Sequence, residues 1–352
     1  MDPLLKTLLS PFCMLYSLAI LARDAMYRSK LLKSISFDLP IIGVGNLNTG
    51  GTGKTPMIKY LARLLMTDFQ CGIMSRGYKR TSKGYLAGDQ KSSFLDIGDE
   101  PFELMSSLPG LHVAVAENRV QGISEMMIDF PDTQIILLDD IFQHRSLAPG
   151  LNILLTDFAN PYFNDQLLPV GRLREFKGAR KRADIIMMTK CPPHLSSNEQ
   201  DLLKTKLKPI PGQEVFFTAF QYGKPKPVFK ESSISDGRSC VLISGIARSS
   251  YLKTFISNHY RLIHHFDFPD HHRFSDADLI SVNEKLKEHQ SEKPVVICTE
   301  KDAVRLIEYH IKIKDFGWDL FKIPVDITFL NRKNEFDKIV REFVNKFEAE
   351  PI

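Results

Sequence analysis

Residues 44–56 read VGNLNTGGTGKTP, a run in which glycines, a lysine and a hydroxyl stand at the spacing a phosphate cradle needs. In the pattern G-x-x-x-x-G-K-[ST], the last three positions are met by Gly53, Lys54 and Thr55, while the first falls on Asn48. Gly50, Gly51 and Gly53 reach positive φ at little cost. The N–H groups of Asn48, Thr49, Gly50, Gly51, Thr52, Gly53, Lys54 and Thr55 can therefore turn toward one anion. Lys54 is expected on the β- and γ-phosphates of ATP and Thr55 on Mg2+, with the positive end of the following helix behind both. Pro56 suits a first helical turn, where its missing N–H has no helical partner. The plain alternative is a glycine-rich turn that binds no nucleotide.

A metal at such a loop needs carboxylates. The run Gln134-Ile135-Ile136-Leu137-Leu138-Asp139-Asp140 is a buried parallel strand by its apolar content, and it ends on two acids. Three further polar clusters have no place in helix packing: Ser75-Arg76-Gly77-Tyr78, Gly98-Asp99-Glu100-Pro101 and Pro169-Val170-Gly171-Arg172-Leu173-Arg174-Glu175. Each alone also reads as a solvated turn. Together with the loop they hold the cations, carboxylates and base that phosphoryl transfer uses.

The elements around these residues follow an α/β pattern. Residues 39–44 form an apolar run before the loop, and Ile58, Leu61, Ala62 and Leu65 recur at helical spacing after it. Strands are expected at 151–156 and 184–189, and residues 223–239, rich in Pro, Lys, Ser and Gly, read as a linker. A second set follows: strands at 240–244, 262–266 and 294–299, with helices near 251, over 276–288 and over 336–347. The expected fold is a P-loop parallel-sheet domain over 36–222, a smaller α/β domain over 240–352, and an N-terminal amphipathic helix within 1–35.

That helix is apolar from Leu4 to Ala22, with a narrow polar stripe of Lys6, Ser10, Cys13, Ser17 and Asp24. Arg23, Arg28, Lys30 and Lys33 follow it, so a helix lying in a membrane interface fits both features. A cleaved signal peptide and an ordinary core helix are the alternatives. The net charge of +4 does not suggest a nucleic-acid partner, and five scattered cysteines argue for single thiols in a reducing compartment. No protein partner is indicated.

The blocks GNLNTGGTGKTP, SRGY, GDEP, LLDDIFQH, PVGRLRE, FPDHHRFS and TEKDAVR, in this order, resemble the tetraacyldisaccharide 4′-kinase family of lipid A biosynthesis. The resemblance implies transfer of the ATP γ-phosphate to the 4′-hydroxyl of a lipid A disaccharide precursor, with Mg2+, at the cytoplasmic face of the bacterial inner membrane. It implies Asp99 as base, supported by His271, with Asp139, Asp140 and Glu175 around the metal. It also puts His144 and Arg174 near phosphates or acceptor, and Arg76, Tyr78 and Arg172 on the substrate. Ile141 departs from the pattern, since the family commonly has glycine there. Read from the residues alone, His264, His265, Asp267, Asp270, His271 and His272 also suit a metal cluster. The loop further resembles that of membrane-attached ATPase switches, although Thr49 stands where their signature lysine belongs.

Overall fold

The computed structural model describes residues 3–229 and 233–348. The first part of the chain supplies β1 (Ile41–Asn46), β2 (Cys71–Ser75), β3 (Leu86–Ala87), β4 (His112–Val115), β5 (Ile135–Asp139), β6 (Leu151–Asp157), β7 (Ile185–Thr189) and β8 (Glu214–Tyr222). The rest supplies β9 (Lys226–Pro227), β10 (Ser239–Ser244), β11 (Arg261–Asp267), β12 (Val295–Thr299), β13 (Leu320–Ile323) and β14 (Val325–Phe329).

They form a nine-stranded sheet in the order β14-β8-β7-β6-β1-β5-β2-β4-β3 and a five-stranded sheet in the order β11-β10-β12-β13-β9. β1, β2, β5 and β7 are buried at every position, the signature of parallel strands covered on both faces. β1 lies between β5 and β6. The loop that follows it therefore opens at the carboxyl edge of the sheet, beside the acids ending β5. One face is covered by the loop helix (Lys54–Leu65) and by a helix over Asp99–Ser107, with Met57, Ile58, Leu61, Leu65 and Leu104 in one apolar cluster. Ile123 and Met126 of a helix over Arg119–Asp129 cover part of the other.

The expected boundaries of the second domain need correction. After β13 the chain returns to the large sheet: β14 pairs antiparallel with β8, and the C-terminal helix (Lys333–Glu348) buries Phe336, Val340 and Val344 in the large lobe's core. The small lobe accordingly runs from β9 to β13. The expected linker also contributes a strand, since β9 pairs with β13.

The N-terminal helix spans Pro3–Arg28. Its polar stripe faces the protein: Cys13 Sγ points to the Leu167 carbonyl, Ser17 bonds back to Cys13, and Asp24 pairs with Arg145. The side chain of Lys6 lies outside the described residues. Leu8, Phe12, Met14, Leu15 and Leu18 are each more than half exposed. This helix carries its apolar side outward, the reverse of a helix docked on a soluble core.

Candidate active site

The loop is left-handed at Gly50 (φ 107°) and Gly53 (φ 88°), and Gly53 caps the helix that begins at Lys54. Asn48 explains how the first glycine is dispensed with. Its amide donates to Asp165 at 2.7 Å, and Thr49 N–H bonds the Arg172 carbonyl at 2.8 Å, so residues 165–173 brace the start of the loop. The other side is braced from β7, where the Thr189 hydroxyl donates to the Thr52 carbonyl at 2.7 Å and Lys190 donates to that of Gly51.

Lys54 Nζ lies 3.6 Å from Asp140. Arg174 grips Asp140 with both ends of its guanidinium, at 2.8 and 2.9 Å. Burial alone would raise the Asp140 pKa, but Lys54 and Arg174 outweigh it and hold the carboxyl well below the usual range. Asp139 has the opposite balance. Burial and the neighbouring Glu100 push it up to about 7, against the pull of Lys54. One of its oxygens accepts from Ser75 at 3.3 Å, and the other is buried with no partner.

The turn after these acids accommodates the Ile141 departure. Ile141 is buried against Gly43 of β1, where a Cβ would meet its methyl at 2.7 Å. A second pair of glycines joins two of the polar clusters: a Cβ on Gly98 (φ 92°) would sit 3.0 Å from Gly77, so SRGY and GDEP must pack backbone to backbone.

A cavity of about 460 Å³ opens between the lobes. The phosphate loop, Asp139, Asp140, Arg174, Arg76 and Tyr78 line it, and Phe220, Tyr222, Ala247, Tyr251, Leu252 and Ile323 give it an apolar wall that begins at the loop itself, with Phe220 beside Gly53 and Ala247 beside Gly51. His271 lines the cavity from the small lobe. Its Nδ1 is 2.8 Å from Asp99, which sits behind it in the large lobe. Asp99 also accepts from Arg305. Burial lifts the Asp99 pKa, but the His271 bond and the charges of Arg305 and Lys301 hold it far below the usual range.

Three expected site residues lie elsewhere. Glu175 is buried with its two oxygens taken by Arg23 of the N-terminal helix and by Arg182, so its carboxylate is spent anchoring that helix and not on a metal. Arg172 turns its side chain to Asn160 and, at 3.4 Å, to Asp165; only its carbonyl serves the loop. His144 is outside the cavity lining, and its Nε2 faces the Arg119 N–H at 3.4 Å. Burial, then Arg119 and Arg76, lower its pKa to about 4, leaving a neutral acceptor. The histidine run does not converge either: His265 bonds Ser244 and His272 bonds Asp278. Among the described residues, no three His, Cys, Asp or Glu side chains gather as metal ligands.

Several contributors escaped the sequence reading. Lys190 follows the strand expected at 184–189 and belongs to no quoted block, and Arg305 belongs to a quoted block but had no role. The apolar wall had no motif at all.

A phosphate loop facing acids, and roofed by a second lobe that brings its own histidine, defines a nucleotide-dependent phosphotransferase of the P-loop class. The profile of the tetraacyldisaccharide-1-P 4′-kinase family matches residues 5–345. The tetraacyldisaccharide 4′-kinase of Flavobacterium johnsoniae is 39% identical over 97% of this chain and 98% of its own. That of Bacteroides thetaiotaomicron is 34% identical over 96% of this chain and 93% of its own. A crystal structure of LpxK from Aquifex aeolicus in complex with ATP superposes with a TM-score of 0.75 at 28% identity, covering 97% of this chain and 99% of that one. The chain belongs to the tetraacyldisaccharide-1-P 4′-kinase family.

Proposed function

We propose that this protein transfers the γ-phosphate of ATP to the 4′-hydroxyl of a tetraacyldisaccharide 1-phosphate, giving lipid IVA at the cytoplasmic face of the inner membrane. The observation that carries this reading is the sharing of one cleft by the phosphate loop of the large lobe and His271 of the small lobe. Loop N–H groups and Lys54 bind the phosphates, with Asp140, itself gripped by Arg174, beside Lys54. The apolar wall takes the base.

The residues fit a magnesium ion. Asp139 keeps a buried oxygen with no partner and a carboxyl pushed up to about 7, the state of an acid that awaits a cation. Thr55 and Asp139 would hold the ion, and when bound it neutralises charge on the phosphate oxygens. Asp140 is already committed to Lys54 and Arg174.

Proton transfer reverses the expected roles of the dyad. Asp99 is behind His271, paired with Arg305, and too acidic to take a proton from a sugar hydroxyl. His271 Nε2 is the acceptor, and Asp99 orients the ring, an arrangement typically worth about 10²- to 10⁴-fold. The outward apolar side of the N-terminal helix enters the bilayer interface, where an acylated acceptor resides.

The test is transfer of labelled phosphate to the disaccharide in detergent, resolved by thin-layer chromatography. The expected result is a labelled lipid formed at a rate that requires acceptor. Rapid ATP hydrolysis with no labelled lipid favours a switch instead.

A further inference from the structure

The helix over Glu300–Leu306 faces the helix over Asp99–Ser107 across the lobe boundary, and charged pairs run along the seam: Lys301 with Glu100, and Arg305 with Asp99. Arg305 is 5% exposed, and both terminal nitrogens of its guanidinium are bonded. One end reaches Asp99 and also lies 3.3 Å from His271 Nδ1; the other bonds the Gly245 carbonyl at 3.2 Å and Asp302 at 3.1 Å. Asp302, itself buried, fixes the same turn by accepting from Gly245 N–H at 3.0 Å. The Gly245 carbonyl also receives the His271 N–H at 3.2 Å, so the turn that Arg305 grips carries the histidine.

We propose that Arg305 is a positioning residue that fixes the tautomer of His271: by keeping Asp99 an anion, it forces the proton onto Nδ1 and leaves Nε2 bare toward the cleft. This rests on the reading of His271 as proton acceptor. An ionised carboxylate has no hydrogen to give, so the 2.8 Å contact between Asp99 and Nδ1 can only be Nδ1–H donating. Without the guanidinium, Asp99 lies buried between the lobes with Lys301 as its remaining cation, and burial favours its neutral form. A protonated Asp99 can donate to Nδ1, which moves the ring proton to Nε2 and blocks the acceptor. Arg305 itself lies 3.3 Å from Nδ1, but the shorter 2.8 Å contact to the Asp99 carboxylate takes the ring proton; the other groups facing the pair are Asp270, 3.9 Å from Nε2, the Tyr78 ring, and Lys79, whose ammonium is 3.5 Å from the His271 carbonyl. Asp270 and Asp302 face Arg305 as well.

The test compares Arg305→Lys and Arg305→Gln in the full-length protein, with Arg305→Ala beside them. Lysine keeps the cation; glutamine keeps a donor without charge. Tautomers are read from 15N shifts in histidine-labelled protein, with His271→Ala assigning the signal. Wild type and Arg305→Lys should show Nδ1–H, whereas Arg305→Gln and Arg305→Ala should move toward Nε2–H. Turnover should fall about 10²-fold in the neutral variants, with KM for ATP unchanged, and the acid limb of the kcat profile should shift. Equal behaviour of Lys and Gln, or an Nδ1–H signal persisting in Arg305→Gln, overturns the proposal, since a merely structural role does not depend on charge. If His271→Ala and Asp99→Asn retain wild-type turnover, the underlying acceptor reading fails, whatever Arg305 does.

Discussion

Lys59 gives the sharpest stability prediction. It stands one turn beyond Thr55 in the loop helix and is 1% exposed, yet it is an ammonium ion. Its Nζ lies 2.6 Å from Glu103 of the large lobe and 2.8 Å from Glu300 of the small lobe. Burial lowers its pKa, but the two carboxylates outweigh burial and raise it, so the cation is held. Lys59→Met keeps the length of the side chain and leaves the buried Glu103 facing the partly buried Glu300. Breaking a buried ionic cluster by removing one partner costs about 3–5 kcal/mol. With an unfolding entropy of about 2.1 cal/mol/K per residue over 352 residues, that lowers Tm by about 4–7 °C. The loss must depend on pH. Glu103 already has its pKa raised by burial, against the pull of Lys59, and without the ammonium it rises further. A group with a raised folded pKa favours folding below its unfolded value, about 4.3, and loses that contribution as pH climbs through the folded value. The defect should therefore be small near pH 5 and full at pH 8, and adding Glu103→Gln should recover part of it. Thermal unfolding across this range is the assay. A Tm deficit that is the same at both pH values refutes the charge argument and leaves only lost packing.

The other predictions concern the site and the membrane. Lys54→Ala should fold normally and lose on the order of 10²-fold or more in turnover, because it removes the cation that the proposed function puts on the transferring phosphate; activity assays with a thermal-unfolding control decide it. Asp139→Asn should stabilise the metal-free protein at pH 8 but not at pH 4: a carboxyl titrating near 7 when folded and about 4 when unfolded costs on the order of 4 kcal/mol once ionised. Thermal unfolding in chelator reads that difference, and Mg2+ should narrow it from the wild-type side. Replacing Phe12, Leu15 and Leu18 together by serine removes apolar area that the protein does not bury. Flotation with anionic liposomes should drop while turnover in detergent persists.

The sequence carried the site further than it carried the lobes. Strand, glycine loop and helix are local signals, and the structure has β1 and the loop helix where the spacing predicts them. The acids after β5 were equally legible, because a wholly apolar run ending in carboxylates has few other uses. Glu175 shows the limit: it adjoins Arg174 in the chain, but the direction of its carboxylate is decided by Arg23, 152 residues away. The same holds for the last strand. Residues 325–329 alternate as a strand should, yet nothing local says that they leave the sheet of β13 for the edge of β8. Residues 71–75 (CGIMS) and 112–115 (HVAV) are short and broken by glycine, serine or histidine, so their burial in the sheet is a tertiary fact.

That late return to the large sheet shapes how the enzyme can work. The chain crosses between lobes twice, from β8 to β9 and from β13 to β14, and the two crossings are tied to each other by the Gly223 N–H on the Pro324 carbonyl at 2.9 Å. Tyr222, Ile323 and Val325 flank this tie and line the cavity. The Lys59–Glu300 pair lies next to this crossing, since Glu300 also accepts from the Val325 N–H at 3.3 Å, whereas Asp99–Arg305 and Glu100–Lys301 join the lobes beside His271. A rotation of the small lobe about the crossing would open the Asp99–Arg305 and Glu100–Lys301 pairs. Since His271 and Arg305 both ride on the small lobe, opening the seam separates Asp99 from both at once. In the proposed mechanism the proton acceptor is thus assembled only with the lobes closed over the phosphate loop, which would couple exclusion of water to the chemistry that water would otherwise intercept.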